Sequence, residues 1–436
     1  MLTVTKIICL CHTTKKNTVT LHFGMDYNTT TLPNGLRIIH KPSVSPVVYC
    51  GYEINAGTRD ELAGEEGMAH FCEHTTFKGT RRRRAWHILN CLESVGGDLN
   101  AFTNKEDTVY YAAILRDHTA RAIDLLTDIV FHSQYPQAEI DKEVEVICDE
   151  IESYNDSPAE LIYDDFENMI FKNHPLGHNI LGNAEQLRTY KTEDALRFTK
   201  RYYRPENAIF FIYGDIDFKK VVRLLQKATA DLNGGEPMTD KKEDIVCHNT
   251  YKPQELIIDK STHQAHVMIG NKAYDVFDER RIALYLLNNM LGGPGMNARL
   301  NLALRERNGL VYTVESSMVS YSDTGLWCVY FGCDPHDVKR CLRLVHKELD
   351  RLMQRPLSDS QLSAAKKQLK GQIAVACDNR ESFALDFGKS FLHYGWEKDV
   401  TALFQHIDRL TPKDLSDVAC DIFAPNNLTT LIYNGK

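Results

Sequence analysis

Two stretches of the sequence decide the predicted fold: YRPENAIFFIYGD at residues 203–215 and FAPNNLTTLIYNG at residues 423–435. Each begins with a proline and asparagine turn and continues into an apolar run of strand length. Pro205 and Pro425 lie 220 residues apart, and the asparagine and tyrosine of each stretch keep the same offset. A constant offset over several positions indicates an internal repeat, so the chain is predicted to contain one structural unit twice.

The segments upstream of these two stretches repeat as well. Residues 108–130 and 325–349 each predict a strand, a polar turn and an amphipathic helix. A second amphipathic helix follows at residues 138–154 and 359–376. The same mixture of strands and helices in both copies predicts an α+β fold of two similar halves.

The repeat also divides the chain. We expect an N-terminal half at residues 25–230 and a C-terminal half at residues 253–436. The intervening residues 231–252 contain the polar stretch NGGEPMTDKKED and are predicted to form a linker. Residues 1–24 precede the repeat, and we expect either a disordered tail or a native start at Met25.

The overall composition excludes several classes of protein. The 436 residues are 43% hydrophobic and 25% charged with a formal net charge of −8, so we expect a globular protein that binds no nucleic acid. No apolar run reaches the roughly 18 to 20 residues that cross a bilayer, and we expect no membrane association. The 12 cysteines are scattered and mostly lie within apolar runs. That pattern is typical of reduced thiols in a cytoplasmic protein.

The segment His70-Phe71-Cys72-Glu73-His74 predicts a metal site. On a helix, His70 and His74 lie one turn apart on one face and can bind one metal ion. Glu73 lies beside them and can reach a water at the metal without being a ligand. The order H-x-x-E-H is the inverse of the commoner zincin motif. The alternative interpretation is a solvated polar helix face.

A helix predicted over residues 139–154 offers a third ligand. Its apolar residues recur at spacings of 4, 3 and 4 along one face. Glu143 and Glu150 lie two turns apart beside that stripe, where unpaired carboxylates are costly. A catalytic zinc site needs a third protein ligand and an open fourth position. These glutamates therefore serve the metal in one interpretation and form ordinary salt bridges in the other.

Together these motifs resemble the pitrilysin/insulysin family of zinc metallopeptidases, and in particular its short-chain members of the processing-peptidase type. The resemblance extends over residues 25–436 and includes LPNGLRII, HPLGHNILG and YYRPENA. It implies two homologous α/β-roll halves, each a mostly antiparallel sheet packed against helices. It further implies one Zn²⁺ per chain with Glu73 as general base and Glu143 as supporting carboxylate, the zinc ligands being His70, His74 and Glu150.

The same resemblance assigns two residues of the second half. In LRERNGLVY, Arg305 and Tyr312 match an arginine and tyrosine pair that contacts the substrate and the developing oxyanion in related peptidases. Without the resemblance, Arg305 reads as a surface helix residue and Tyr312 as an aromatic residue of a strand.

A substrate-binding strand is predicted near the metal. Residues 96–103 resemble the edge strand to which peptide substrates add in these peptidases, with Asn100 and Ala101 nearest the zinc. The alternative is an ordinary edge strand. Phe77, one helical turn after the metal motif, either lines the pocket at the scissile bond or packs in the core.

The sequence therefore predicts a zinc-dependent endopeptidase that hydrolyses peptides or unfolded segments, with Glu73 as the base. Large family members enclose their substrate with four such units, and this chain has two, so a similar enclosure would require a second subunit. Because the zinc motif and the Arg305 and Tyr312 pair both occur in this chain, we expect a homodimer, with a self-sufficient monomer as the alternative. Two alternatives stay open: a catalytic subunit that needs a related partner, and a non-peptidase scaffold subunit on the same fold. A structural zinc module is disfavoured, because structural sites usually close with four ligands.

Overall fold

The computed structural model describes residues 27–234, 251–260 and 262–435, which form two β-sheets packed against helices. The predicted tail at residues 1–24 lies outside the described residues, and so does most of the predicted linker at residues 231–252. The division of the chain at these boundaries therefore stays a prediction.

Residues 27–234 form a six-stranded sheet with eight α-helices. The strands are β1 (Asn28–Thr31), β2 (Arg37–Pro42), β3 (Val47–Ile54), β4 (Asp98–Thr103), β5 (Thr108–Leu115) and β6 (Ala208–Gly214). The helices are α1 (Met68–Thr76), α2 (Ala85–Glu93), α3 (Thr119–His132), α4 (Gln137–Asn155), α5 (Pro158–Ile170), α6 (Ala184–Leu187), α7 (Thr192–Tyr202) and α8 (Phe218–Ala228).

The described residues from 251 onwards form a five-stranded sheet with six α-helices. The strands are β7 (Glu255–Asp259), β8 (Ala265–Ala273), β9 (Val311–Ser320), β10 (Gly325–Cys333) and β11 (Thr429–Asn434). The helices are α9 (Arg281–Gly292), α10 (Val338–Gln354), α11 (Asp359–Ala376), α12 (Arg380–Tyr394), α13 (Val400–Arg409) and α14 (Pro412–Ile422). A short π-helical segment, Asn301–Glu306, precedes β9.

The repeat predicted from the sequence is confirmed. Strands β6 and β11 each follow a single 3₁₀ turn, which begins at Pro205 in one half and at Pro425 in the other. The order β5, α3, α4 in the first half matches β10, α10, α11 in the second. Both halves therefore have the same local sequence of elements over the segments that the repeat identified.

The strand orders confirm the expected α+β class. The first sheet runs β1-β2-β6-β3-β5-β4 and the second runs β7-β11-β8-β10-β9. Only the pairs β2–β6 and β11–β7 are parallel among the strands described, so both sheets are mostly antiparallel. Strand β4 ends the first sheet, which confirms that residues 98–103 form an edge strand.

The two halves exchange helices across their interface. Helix α12 of the second half packs on β3 and β6, and α5 of the first half packs on β8, β10 and β11. In β6, Ile209 and Phe211 face the core that contains α12, whereas Phe210 faces the core of the first half. Because both faces are covered, β6 is apolar throughout rather than alternating.

Two further expectations concern membrane association and the state of the cysteines. Within the three described ranges, no helix is long and apolar enough to span a bilayer. The nine cysteines in those ranges are all free thiols.

Candidate metal centre

Helix α1 holds the two histidines of the predicted metal motif. Its N-terminus is fixed by the buried carboxylate of Glu61, which accepts hydrogen bonds from the backbone N–H groups of Gly67 (3.0 Å) and Ala69 (2.8 Å). Gly67 has φ of 85°, and a Cβ there would lie 2.8 Å from Leu181 O, so only glycine fits this start. The imidazole rings of His70 and His74 then meet edge to face one turn apart, with centroids separated by 4.5 Å.

Helix α4 brings Glu150 to the two histidines. Glu150 Oε2 lies 3.8 Å from His70 Nε2 and 3.4 Å from His74 Nε2. Ligands at 2.0 to 2.1 Å from a tetrahedral zinc ion lie about 3.3 to 3.4 Å apart. The three donor atoms therefore fit one zinc ion, and the two-nitrogen, one-oxygen set is the composition of a catalytic site with an open position.

The electrostatics of the two histidines differ, and those of His70 favour the neutral form that can bind a metal. Burial, reinforced by the charge of His74, lowers the pKa of His70 to about 3, so its imidazole is neutral. Burial also opposes charge on His74, but the hydrogen bond to Glu143 and the nearby carboxylates outweigh it and raise the pKa. Glu143 Oε1 lies 3.1 Å from His74 Nδ1, which leaves Nε2 of that ring directed at Glu150.

Glu143 and Glu150 differ in burial. Glu143 is buried, and Lys78 Nζ lies 2.6 Å from its Oε2. The side chain of Glu150 is 46% exposed, which corrects the expectation that both carboxylates lie against the buried stripe. The reason is that α4 leaves the core near its end: Ile151 is only half-buried and Glu152 is exposed.

Glu73 lines a cavity of about 280 Å³ together with His74. Only 8% of this residue is exposed, and burial raises the pKa of its carboxyl. Thr103, the last residue of β4, donates a hydrogen bond from Oγ1 to Glu73 Oε2 at 2.8 Å. A buried carboxylate next to the metal ligands is suited to accept and return a proton.

The predicted substrate residues line the same cavity. Phe77, Asn100 and Ala101 all contribute to its wall together with Glu73, His74 and Glu143. Sequence reasoning did not identify Leu89 and Leu99, which add apolar surface to this cavity. It also left Thr103 without a role, although strand alternation puts Thr103 on the same face as Leu99 and Ala101.

Arg305 and Tyr312 meet each other but not the histidines. The guanidinium carbon of Arg305 lies 5.4 Å from the centroid of the Tyr312 ring, which is 80% exposed on the edge strand β9. Arg305 lines a second cavity of about 510 Å³, next to the glycine-rich turn at residues 292–295. The two cavities share no lining residue.

The chain is similar to known proteins along most of its length. Residues 37–184 match the model of insulinase (peptidase family M16), and residues 190–369 match that of the peptidase M16 inactive domain. A zinc protease from Streptomyces coelicolor is 34% identical over 399 residues, covering 90% of this chain and 86% of that protein. The chain belongs to the insulinase family of peptidases. A second member, a zinc protease from Bacillus subtilis, is 30% identical and covers 92% of this chain and 97% of that protein.

Solved structures confirm the fold of this insulinase-family chain. The crystal structure of a protease from Helicobacter pylori has a TM-score of 0.85 at 22% identity and covers 94% of this chain and 99% of that chain. The resemblance to pitrilysin-type zinc metallopeptidases is thereby confirmed. The insulinase match spans residues 37–184 and so includes every residue of the candidate metal centre, whereas the inactive-domain match includes Arg305 and Tyr312.

Proposed function

We propose that this protein is a zinc-dependent endopeptidase that hydrolyses peptides or unfolded segments at the site formed by His70, His74 and Glu150. One observation carries the proposal: three ligand atoms that lie within 4.8 Å of one another converge from two helices beside the buried carboxylate of Glu73. The zinc proteases among the relatives support the choice of metal. We propose one ion per chain, held at this site.

In the proposed hydrolysis the metal, Glu73 and Glu143 have separate roles. Zn²⁺, when bound, supplies Lewis acidity that makes a water acidic near neutral pH and polarises a peptide carbonyl. Glu73 accepts the proton of the attacking water and returns it to the leaving amine. Glu143 holds the His74 ring through Nδ1, so that its other nitrogen keeps one orientation.

The edge strand β4 provides the substrate site in this proposal. An edge strand has unpaired N–H and C=O groups, so an extended peptide adds to it as a further strand. Asn100 and Ala101 on β4 line the Glu73 cavity, and Phe77 gives it an aromatic wall. A peptide paired with β4 would therefore run past the base. Main-chain pairing also explains why substrates must be extended or unfolded.

We propose that Arg305 and Tyr312 act from a second copy of the chain. In the same chain, Arg305 and Glu73 line different cavities. The resemblance implies a substrate enclosed by four such units, which corresponds to two copies of this chain. A homodimer satisfies both conditions, because each metal centre then faces the Arg305 and Tyr312 pair of the other subunit. The free thiols of the described residues support a cytoplasmic location.

The first test measures zinc content by elemental analysis together with cleavage of a quenched fluorescent peptide library. Wild type and Glu73→Gln are compared. One zinc per chain in both proteins, with cleavage only by wild type, is the expected result. Zinc without cleavage by wild type would indicate a subunit that requires a related partner. A chain without zinc would be a scaffold subunit on the same fold.

A mixing experiment tests the homodimer. Glu73→Gln and Tyr312→Phe are each expected to cleave slowly or not at all. If Tyr312 acts on the metal centre of the other subunit, a mixed dimer has one intact composite site, and equal mixtures should regain activity. If both residues act within one chain, every mixed dimer has two defective sites and the mixture should stay inactive.

A further inference from the structure

The edge strand and the base are joined by one buried hydrogen bond. Thr103 ends β4, and its Oγ1 donates to Glu73 Oε2 over 2.8 Å. Thr103 is 9% exposed and Glu73 is 8% exposed, so little water competes for this contact. A hydrogen bond to a charged, buried acceptor is stronger than a neutral one.

The turn after β4 fixes the position of the Thr103 hydroxyl. The backbone N–H of Asn104 donates to Asp107 O at 2.8 Å, and the Asn104 amide donates to the Asp107 carboxylate at 2.6 Å. Asp107 in turn lies 3.0 Å from Lys389 Nζ and 3.0 Å from His393 Nε2, both on α12 of the second half. The end of β4 is therefore held both by the hydrogen bonds of its own turn and by the contacts of Asp107 with α12.

We infer that Thr103 is a positioning residue for the proposed reaction: its hydroxyl fixes the carboxylate of Glu73 relative to the strand that pairs with substrate. This inference rests on the proposed function. Thr103 donates to Oε2 of Glu73, and the lone pairs of the other oxygen, Oε1, are available to accept the proton. The peptide backbone pairs with the main chain of β4, so the hydroxyl contributes to the rate of proton transfer and not to substrate binding.

The cross-strand neighbour of Thr103 offers a matched control. Thr108 faces Thr103 in the register of β4 and β5 and is fully buried. Its Oγ1 donates to the backbone carbonyl of Ala56 at 2.9 Å and has no contact with Glu73. Replacing either threonine with valine removes one buried hydroxyl from the same strand pair, but only one of them holds the base.

The experiment measures kcat, KM, zinc content and unfolding midpoint for wild type, Thr103→Val, Thr103→Ser and Thr108→Val. Loss of a hydrogen bond to a charged group should lower kcat of Thr103→Val roughly 10- to 100-fold. KM and zinc content should match wild type. Thr103→Ser, which keeps the hydroxyl, should recover most of kcat. Thr108→Val should lose stability with kcat unchanged.

Several results would overturn the inference. These are a wild-type kcat in Thr103→Val, a kcat of Thr103→Ser no higher than that of Thr103→Val, and an equal loss of kcat in Thr108→Val. A loss of zinc from Thr103→Val would show that the hydroxyl supports the metal and not the base. A wild type without zinc and without activity would refute the proposed function and this inference with it, whereas an active wild type with an equally active Thr103→Val would refute the inference alone.

Discussion

The hydrogen bond between Glu143 and His74 predicts how tightly zinc is held. Glu143 Oε1 lies 3.1 Å from His74 Nδ1, and its Oε2 lies 2.6 Å from Lys78 Nζ. With a carboxylate accepting at Nδ1, the His74 proton stays on that nitrogen and Nε2 keeps its lone pair for the metal. Glu143→Ala removes the acceptor, so the ring is free to rotate and to change tautomer.

The size of the effect follows from this geometry. A hydrogen bond to a charged group contributes about 1.5 to 3 kcal/mol. Loss of such an outer partner typically lowers metal affinity by about 10- to 100-fold. Lys78 is 28% exposed and can turn towards solvent when its partner is removed, so its own loss adds little. We therefore expect zinc to bind Glu143→Ala about 10- to 100-fold more weakly. Glu143→Gln, which keeps an acceptor oxygen, should lose less.

Competition with a fluorescent zinc chelator measures the affinity at one fixed pH. Glu145→Ala is the matched control, because Glu145 lies on the same helix, is exposed and pairs with Arg188 at 3.0 Å. Its zinc affinity should equal that of wild type. The reasoning would be refuted by wild-type affinity in Glu143→Ala, or by an equal loss in Glu145→Ala.

Three further predictions test electrostatics, metal linkage and the exchange of helices. Burial, with the charge of Asp107, raises the pKa of Glu53 well above its usual range, and neither carboxylate oxygen of Glu53 has a hydrogen-bond partner among the described residues. In the native state Glu53 thus keeps a proton that the unfolded chain releases above about pH 4.3. Its contribution to the free energy of unfolding is fully present below that pH. As the pH rises towards the pKa of the folded state, this contribution falls by about 1.4 kcal/mol per pH unit. The stability of Glu53→Gln relative to wild type should therefore increase between about pH 5 and 7 in denaturant titrations, and a difference independent of pH would contradict this. EDTA should lower the Tm of wild type, because zinc at a hundred times its Kd stabilises the native state by about 2.7 kcal/mol. EDTA should leave the Tm of His70→Ala unchanged. Equal responses of the two proteins would count against zinc binding at His70. Residues 27–234 expressed alone should bind a hydrophobic dye and unfold without cooperativity, because α12 no longer covers Ile209 and Phe211; cooperative calorimetric unfolding of that fragment would argue against it.

The proximity of the two proposed histidine ligands could be predicted from the sequence because their geometry is local. His70 and His74 lie on one helix, and a spacing of four residues is enough to put both on one face. The periodicity of α4 marked both Glu143 and Glu150 as carboxylates beside an apolar stripe, and the family resemblance then assigned Glu150 as the ligand. The same reasoning overestimated the burial of Glu150, since it takes no account of where α4 leaves the core.

The contact between Thr103 and Glu73 could not be predicted in this way. The two residues are 30 positions apart, and their hydrogen bond depends on how α1 packs against β4. Alternation along β4 predicts which face Thr103 occupies, but not which side chain it meets there. The separation of Arg305 from the metal centre is equally a matter of packing between distant elements, which no local pattern encodes.

The exchange of helices makes the half that holds all the proposed metal ligands depend on the other half. An apolar run such as β6 indicates that both faces of the strand are buried. It does not indicate which half supplies the helices that pack on them. Here α12 lies on β3 and β6, and its Lys389 and His393 each lie 3.0 Å from the Asp107 carboxylate in the turn that follows β4. The strand beside the metal centre is therefore held from the second half, at a separation of 286 residues from Asp107 to His393. A half that supplies no metal ligand still sets the position of the strand on which Asn100, Ala101 and Thr103 lie.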